Sequence, residues 1–134
     1  MCVTEEDIRE RLKHLPDVPA SLMLLAEPND FHGIVEWEVL KGKMMSFSLL
    51  DHRNCEIFHT KFSRETEVSW HSHGEESIEV IVCLEGQMLL IMEDGSQVKI
   101  EEKGMMVIPK GVKHMAVIGS KPCQIIAMTI PKEK

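Results

Sequence analysis

Ten short apolar runs, separated by turn-forming residues, fill the sequence from residue 34 to residue 130. Many are rich in β-branched residues, and no helical periodicity lies between them. Strands at such close spacing predict an antiparallel all-β sandwich or barrel. The predicted strands are 34–40, 44–50, 55–62, 67–73, 79–84, 87–92, 97–101, 105–109, 113–118 and 123–130.

A short helix is predicted before the strands. Thr4 suits a helix N-cap, and Asp7 three residues later can complete a capping pair. Pro16 ends the helix, and the Pro, Asn and Gly residues that follow indicate an irregular connection. We expect residues 1–33 to form a helix and extension packed on a β-barrel at 34–131, in one domain overall.

One turn is predicted by its residues alone. Asp94-Gly95 lies between two apolar runs, and this dipeptide is the strongest short signal of a β-hairpin. The turn should join strand 87–92 to strand 97–101.

Charge and cysteine content exclude several classes of function. Fifteen Lys and Arg residues against 22 Asp and Glu give a net charge of −7, so we expect neither nucleic-acid binding nor binding to an anionic membrane. The N-terminus is acidic where a secretory signal would be basic. No apolar run is as long as a membrane span, which needs about 18 residues. The four cysteines form no Cys-x-x-Cys pair, which favours reduced thiols in a cytoplasmic protein.

Two histidines with one residue between them lie near the middle of the chain. Alternate side chains of a strand point to the same face, so His71 and His73 can hold one metal ion between two imidazoles. Glu79 follows them at the start of an apolar run that leads to Gly86. Taken alone, such a histidine pair is a weak signal.

A second cluster strengthens the metal hypothesis. Pro109, Gly111 and His114 match a Pro-x-Gly-x-x-His pattern, and six residues separate Glu79 from Gly86. Together with the paired histidines, these motifs resemble the two signature motifs of the cupin superfamily. The resemblance implies a cupin-type antiparallel jelly-roll barrel.

The same resemblance implies a ligand set of His71, His73, Glu79 and His114. Three imidazoles and one carboxylate suit Fe(II), Mn(II), Ni(II), Co(II) or Zn(II), and they leave positions open for water or substrate. The sequence does not choose among these metals.

The chain departs from the family pattern at two kinds of position. Five residues, rather than three or four, separate His73 from Glu79, which leaves Glu75 or Glu76 as alternative acidic ligands. Glu65 and Lys103 stand where the motifs carry glycine.

The barrel interior should bind a small molecule. Candidate substrate-binding residues are Cys83, Met88 and Met106, although the methionines are also suited to filling gaps in a core. By resemblance, the metal could serve an enzyme of dioxygenase or isomerase type. Since no separate catalytic acid or base is recognisable, a non-catalytic sensor or accessory protein is the alternative. The resemblance also implies a homodimer.

Overall fold

The computed structural model describes residues 3–12, 33–52 and 54–131. One helix precedes ten strands, and every strand pairing is antiparallel. The elements are α1 (Glu5–Leu12), β1 (Gly33–Trp37), β2 (Met44–His52), β3 (Cys55–Phe62), β4 (Glu67–His71), β5 (Ile78–Glu85), β6 (Gln87–Met92), β7 (Gln97–Glu101), β8 (Met105–Ile108), β9 (His114–Ile118) and β10 (Cys123–Ile130). The predicted all-β fold with a short N-terminal helix is confirmed.

The strands form two sheets whose inner faces make one core. The larger sheet has the order β1-β2-β3-β10-β5-β8, and the smaller has the order β4-β9-β6-β7. Both sheets alternate buried and more exposed residues along their strands, as in β5, where Glu79, Ile81 and Cys83 point inward. The buried apolar residues include Phe62, Val68, Ile81, Met88, Leu90, Ile100, Ile108, Ile118, Cys123 and Ile125.

Most strand boundaries follow the predicted runs. Strands β3, β6, β7 and β10 have the predicted limits, whereas β4 ends at His71, two residues early. The predicted hairpin joins β6 to β7: the backbone N–H of Ser96 donates to Asp94 Oδ1 at 2.8 Å, and Gly95 has a φ of +87°. The positive φ explains why this turn needs glycine.

Helix α1 has the predicted cap. The N–H of Asp7 donates to Thr4 Oγ1 at 3.1 Å, and the N–H of Thr4 donates to Asp7 Oδ2 at 3.0 Å. Ile8 is 50% exposed, so its packing on the sheets stays a prediction. Pro16 and the predicted irregular connection up to residue 32 lie outside the described residues. Within the described ranges, no helix has the length and apolar character that a membrane span requires.

Two turns keep a left-handed backbone without glycine. Glu65 has a φ of +57° and Lys103 a φ of +67°, and these are the two positions where the cupin motifs carry glycine. The N–H of Glu65 donates to Gly119 O at 2.7 Å, and the N–H of Lys103 donates to Cys83 O at 2.9 Å. Long-range hydrogen bonds therefore hold both residues in a conformation that is costly for a side chain with a Cβ.

We expect Glu65→Gly and Lys103→Gly each to raise the free energy of unfolding by about 0.5–1 kcal/mol. Relief of the left-handed strain, about 1–2 kcal/mol, exceeds the extra unfolded-chain entropy of glycine, about 0.5–1 kcal/mol. Urea denaturation measures the change. Lys121→Gly, at an exposed position without a positive φ, is the control and should lower stability. Destabilisation by both motif substitutions would contradict this account.

Candidate metal centre

Three histidines from two strand ends meet at one edge of the smaller sheet. His71 is the last residue of β4 and pairs across the ladder with His114, the first residue of β9. His73 lies two residues beyond β4, and its ring centroid is 5.2 Å from that of His71 and 5.5 Å from that of His114. One ligand atom from each histidine lies within 4.8 Å of the other two. The two sequence clusters therefore supply one site.

A bulge in β4 turns His71 toward the core. The register with β9 shifts between Val68 and His71, which adds a residue to β4. Val68 is buried and Trp70 is 50% exposed, so the strand does not keep its alternation here. In a regular strand, residues three apart face opposite sides, and the extra residue brings His71 to the face of Val68. The sequence predicted a straight strand through His73, but the bulge and the following loop bring the two rings together.

Backbone carbonyls orient two of the imidazoles. His71 Nδ1 lies 2.7 Å from Ser69 O, and His114 Nδ1 lies 3.0 Å from Val112 O. Because a carbonyl oxygen can only accept, Nδ1 carries a hydrogen in both rings, so the Nε2 of each neutral ring keeps its lone pair. Nε2 of His114 is buried and makes no hydrogen bond within the described residues. This arrangement fits a metal ion, since ligating histidines usually donate their other N–H to such a partner.

Glu79 is the acid that meets the histidines. Its Oε2 lies 2.7 Å from His73 Nε2, and its Oε1 lies 3.5 Å from His114 Nε2. Glu75 and Glu76, the alternative acids, are exposed. The group of ligand atoms that all lie within 4.8 Å of one another includes the three histidines but not Glu79. The role of Glu79 as a fourth ligand therefore stays a prediction.

Burial and the histidines act in opposite directions on the carboxylate. Burial raises the pKa of Glu79, but hydrogen bonds from His114 and His73, made when their Nε2 atoms carry a hydrogen, outweigh burial and lower that pKa to about 2. Burial also lowers the pKa of His71, and the hydrogen bond to Ser69 opposes this only in part. The site therefore favours an ionised carboxylate beside a neutral His71, the protonation states that metal binding requires.

The loop between His73 and Glu79 is tied to the second motif. The N–H of Gly111 donates to Gly74 O at 3.1 Å. Residues 74–76 are exposed, whereas Ser77 is buried. The extra loop residue is thus accommodated at the surface, between two anchored ends.

A cavity of about 290 Å³ opens beside the histidines, between the two sheets. Both His71 and His73 line it, together with Glu79. Its wall also includes apolar, hydroxyl and acidic side chains: Trp37, Met44, Phe58 and Val68; Ser46, Thr60, Ser69, Ser72 and Thr129; Glu38 and Glu56. A small molecule in this cavity could reach the histidines directly.

A chain of hydrogen bonds fixes part of this wall. Trp37 Nε1 donates to Ser46 Oγ at 2.8 Å, and Ser46 Oγ lies 2.7 Å from Thr60 Oγ1. The two hydroxyl groups carry one hydrogen each, and only one of these hydrogens forms the bond between Ser46 and Thr60. The other hydroxyl hydrogen is used neither in that bond nor in the bond from Trp37. Both residues are 1% exposed. The pair can therefore donate to an oxygen atom of a ligand.

The predicted substrate-binding residues lie elsewhere in the structure. Cys83 and Met88 are buried in the core, and Met106 packs against it. None of the three is among the described residues that line the cavity beside the histidines, although Met88 lines a second cavity with Lys99 and Lys121. Their part in substrate binding stays a prediction.

Apart from His71, His73 and Glu79, the sequence analysis singled out none of the residues of the cavity wall, and Trp37, Glu38 and Glu56 are three of those it missed. Glu56 lies in the predicted strand 55–62, two residues before the inward-facing Phe58, so alternation would have placed it on the inner face. Trp37 is the last residue of β1 and Glu38 follows it, and no motif marks either residue. The fold alone brings β1 beside the cavity.

Comparison with known proteins supports the same fold. KdgF from Halomonas sp. has a TM-score of 0.62 and 18% identity, with 73% of this chain and 88% of that chain covered. A predicted oxalate decarboxylase from Thermotoga maritima has a TM-score of 0.69 and 17% identity, with 81% and 99% covered. The SPY1581 protein of unknown function from Streptococcus pyogenes has a TM-score of 0.62 and 15% identity, with 84% and 99% covered.

A comparison with curated protein sequences finds no match. The family model described as "Cupin domain" matches residues 58–129, a segment that contains both histidine clusters and more than half of the chain. With the antiparallel jelly-roll strands and the three-histidine cluster, this match shows that the chain belongs to the cupin family.

Proposed function

We propose that this cupin holds one divalent transition metal through His71, His73 and His114, with Glu79 as the fourth ligand. The observation that carries the proposal is the convergence of three imidazoles within 4.8 Å, two of them with Nε2 left as an acceptor. Three nitrogens and one oxygen suit Fe(II), Mn(II), Ni(II), Co(II) or Zn(II).

We further propose that the protein acts on a small molecule as a metal-dependent enzyme of dioxygenase or isomerase type. A bound ion would supply Lewis acidity or redox chemistry. The chain itself supplies a cavity that opens beside His71 and His73, and the hydroxyls of Ser46 and Thr60 can orient an oxygen atom of the substrate.

A non-catalytic binding protein is the alternative, and turnover separates the two. Reconstitution with each of the five metals, followed by incubation with the small molecules that co-purify, should yield O₂ consumption or an isomerised product for an enzyme. A tightly held ligand that is released unchanged would favour the binding protein.

Purified protein without an affinity tag should carry close to one transition metal per chain. His73→Ala and His114→Ala each remove a metal ligand. Loss of a hydrogen-bond partner of a ligand typically weakens metal binding about 10- to 100-fold, and we expect each of these variants to weaken it more than that. Elemental analysis and competition titration with a chelator measure both effects.

His59→Ala is the control for these variants, since His59 lies on the outer face of the larger sheet and forms a hydrogen bond with Gln124.

A second comparison tests the acidic ligand: Glu79→Gln should weaken metal binding, and Glu76→Gln should not. No metal after reconstitution with all five ions would refute the metal site. The reverse order of the two glutamates would show that the loop supplies the ligand.

Metal affinity should decrease as the pH falls through the region below about 6.5, because imidazole must be neutral to bind a metal. The lowered pKa of His71 keeps this ring neutral in the metal-free protein to a lower pH than an ordinary histidine. Protons therefore compete with the metal for His71 below about pH 6.5 and not above it. Titrations from pH 5 to 8 test this, and a constant affinity would exclude histidine ligation.

We also propose that the protein is a homodimer that pairs through the outer face of the larger sheet. Alternation places apolar side chains on this face as well as on the core face. Six large ones are at least 37% exposed: Ile34, Met45, Leu84, Met105, Val107 and Ile130. A second copy would remove this apolar surface from water.

Sedimentation velocity should therefore show a dimer at micromolar concentration. Val107→Glu places a charge on the proposed interface and should shift the equilibrium to monomer, because the charge would be buried without a partner. Gln97→Glu, at an exposed position of the smaller sheet, is the control. A native monomer at this concentration would refute the pairing.

A further inference from the structure

Two buried hydroxyl groups on the cavity wall leave one hydrogen-bond donor unused. Ser46 of β2 pairs with Thr60 of β3, and each residue lines the cavity although it is only 1% exposed. Apart from their mutual bond and the bond from Trp37 Nε1, neither hydroxyl bonds another described residue. Because a buried donor without an acceptor is costly, a molecule that fills this part of the cavity must bring an acceptor to the pair.

The hydroxyl pair lies far from the histidines along the larger sheet. Glu79, which contacts His73, pairs with Thr129 of β10. Thr60 pairs with Ile125 of the same strand, and the step from one row to the other is about 13 Å at the usual rise of a strand. In the sheet order, β10 separates the strand of Thr60 from the strand of Glu79. One ligand atom therefore cannot contact both the histidines and the hydroxyl pair.

The wall between these two positions is apolar. Phe58 pairs with Ala127 on the row midway between them, and both residues line the cavity. Trp37 packs edge-on against Phe58, with ring centroids 6.2 Å apart, and its bond to Ser46 fixes the indole. A ligand that extends from the histidines to the hydroxyl pair would thus lay an apolar segment against these rings.

The charges around the cavity indicate that the acceptor is uncharged. No Lys or Arg is among the described residues that line it, and the whole chain carries a net charge of −7. A carboxylate or phosphate at the hydroxyl pair would be partly dehydrated without a counter-charge. A neutral carbonyl oxygen needs only the one hydroxyl hydrogen that the pair can donate.

We propose that Ser46 and Thr60 bind an uncharged carbonyl oxygen at one end of an elongated substrate whose apolar middle contacts Phe58 and whose reacting end lies at the histidines. The carbonyl subsite depends only on the cavity wall, whereas the position of the reacting end rests on the proposed metal function. The bound carbonyl is a recognition group and not the group that reacts, because it lies too far from the histidines to contact a metal there.

Titration of the metal-free protein with a ketone tests the carbonyl subsite. The sequence has two tryptophans, so Trp70→Phe leaves Trp37 with the only indole N–H signal in the NMR spectrum. Because Trp37 bonds Ser46, shifts of this signal report binding at the hydroxyl pair. Acetylcyclohexane and cyclohexanecarboxylate are similar in shape but differ in charge, and the ketone should bind about 10-fold more tightly or better.

The double variant Ser46→Ala/Thr60→Val in the same background should weaken ketone binding about 2- to 10-fold, the range of one net hydrogen bond. Both residues are replaced because either hydroxyl can be the donor. Ser48→Ala is the matched control and should not change the affinity. Ser48 is a buried hydroxyl on the same face of β2, but it is not among the described residues that line the cavity.

Cyclohexane separates a lost hydrogen bond from a changed cavity shape. It shares the ring of the ketone but has no acceptor, so it should bind equally well with and without the two hydroxyls. Three results would each overturn the subsite: equal affinity for ketone and carboxylate, an unchanged ketone affinity in the double variant, or an equal loss of cyclohexane affinity.

A second experiment tests the reach of the substrate with cobalt-loaded protein. The probes are 1-alkylimidazoles of increasing chain length that carry a methyl ketone at the far end, each compared with the plain 1-alkylimidazole of equal length. Binding is followed by the cobalt absorption spectrum. The advantage of the ketone should be largest at one chain length, where the imidazole meets the metal and the carbonyl meets Ser46 and Thr60, and the double variant should remove it.

The two experiments separate the failure of this inference from that of the metal site. If the imidazoles perturb the cobalt spectrum but the ketone gives no advantage at any length, the elongated substrate is refuted and the metal site stands. If cobalt does not bind, the proposed metal function fails, and the ketone titration of the metal-free protein alone decides whether the carbonyl subsite exists.

Discussion

The pairing of β4 with β9 is the interaction on which the site depends. The two histidine clusters are far apart in the chain, and only the ladder contact between His71 and His114 places them side by side. The bulge before His71 belongs to this pairing, because the extra residue of β4 has no counterpart on β9. A regular register would turn His71 to the surface, and the remaining histidines could not form a three-ligand group. Strand pairing therefore determines the chemistry as well as the fold.

The sequence predicted the strands well because each carries its own signal. Alternating apolar runs and the Asp94-Gly95 turn depend on neighbours within a few residues, and the limits of four strands agree with the structure. The bulge in β4 could not be read in this way, since it depends on the partner strand. Glu79 was selected over Glu75 and Glu76 by its spacing to Gly86, and the structure places it against the histidines.

The cavity wall was the least predictable part of the site. Cys83 and Met88 were proposed as residues of the barrel interior, and the structure packs both into the core, so their part in substrate binding stays a prediction. Six of the residues that line the cavity come from β1, β2 and β3, which lie before both motifs. Which strand ends surround an opening depends on how two sheets stack, and local pattern carries no information about that stacking. Glu56 shows the difference: its face was predictable from alternation, but its neighbours in space were not.

The hydrogen bond between Gly111 and Gly74 has a consequence for how this site can vary. It joins the loop after His73 to the turn before His114, so the two ligand-bearing segments are held together at the rim. Residues inserted between Gly74 and the buried Ser77 can extend into solvent without moving either segment. Loop length and ligand geometry are thereby uncoupled. The rim of the cavity can change in size and charge over evolution while the three imidazoles keep their positions.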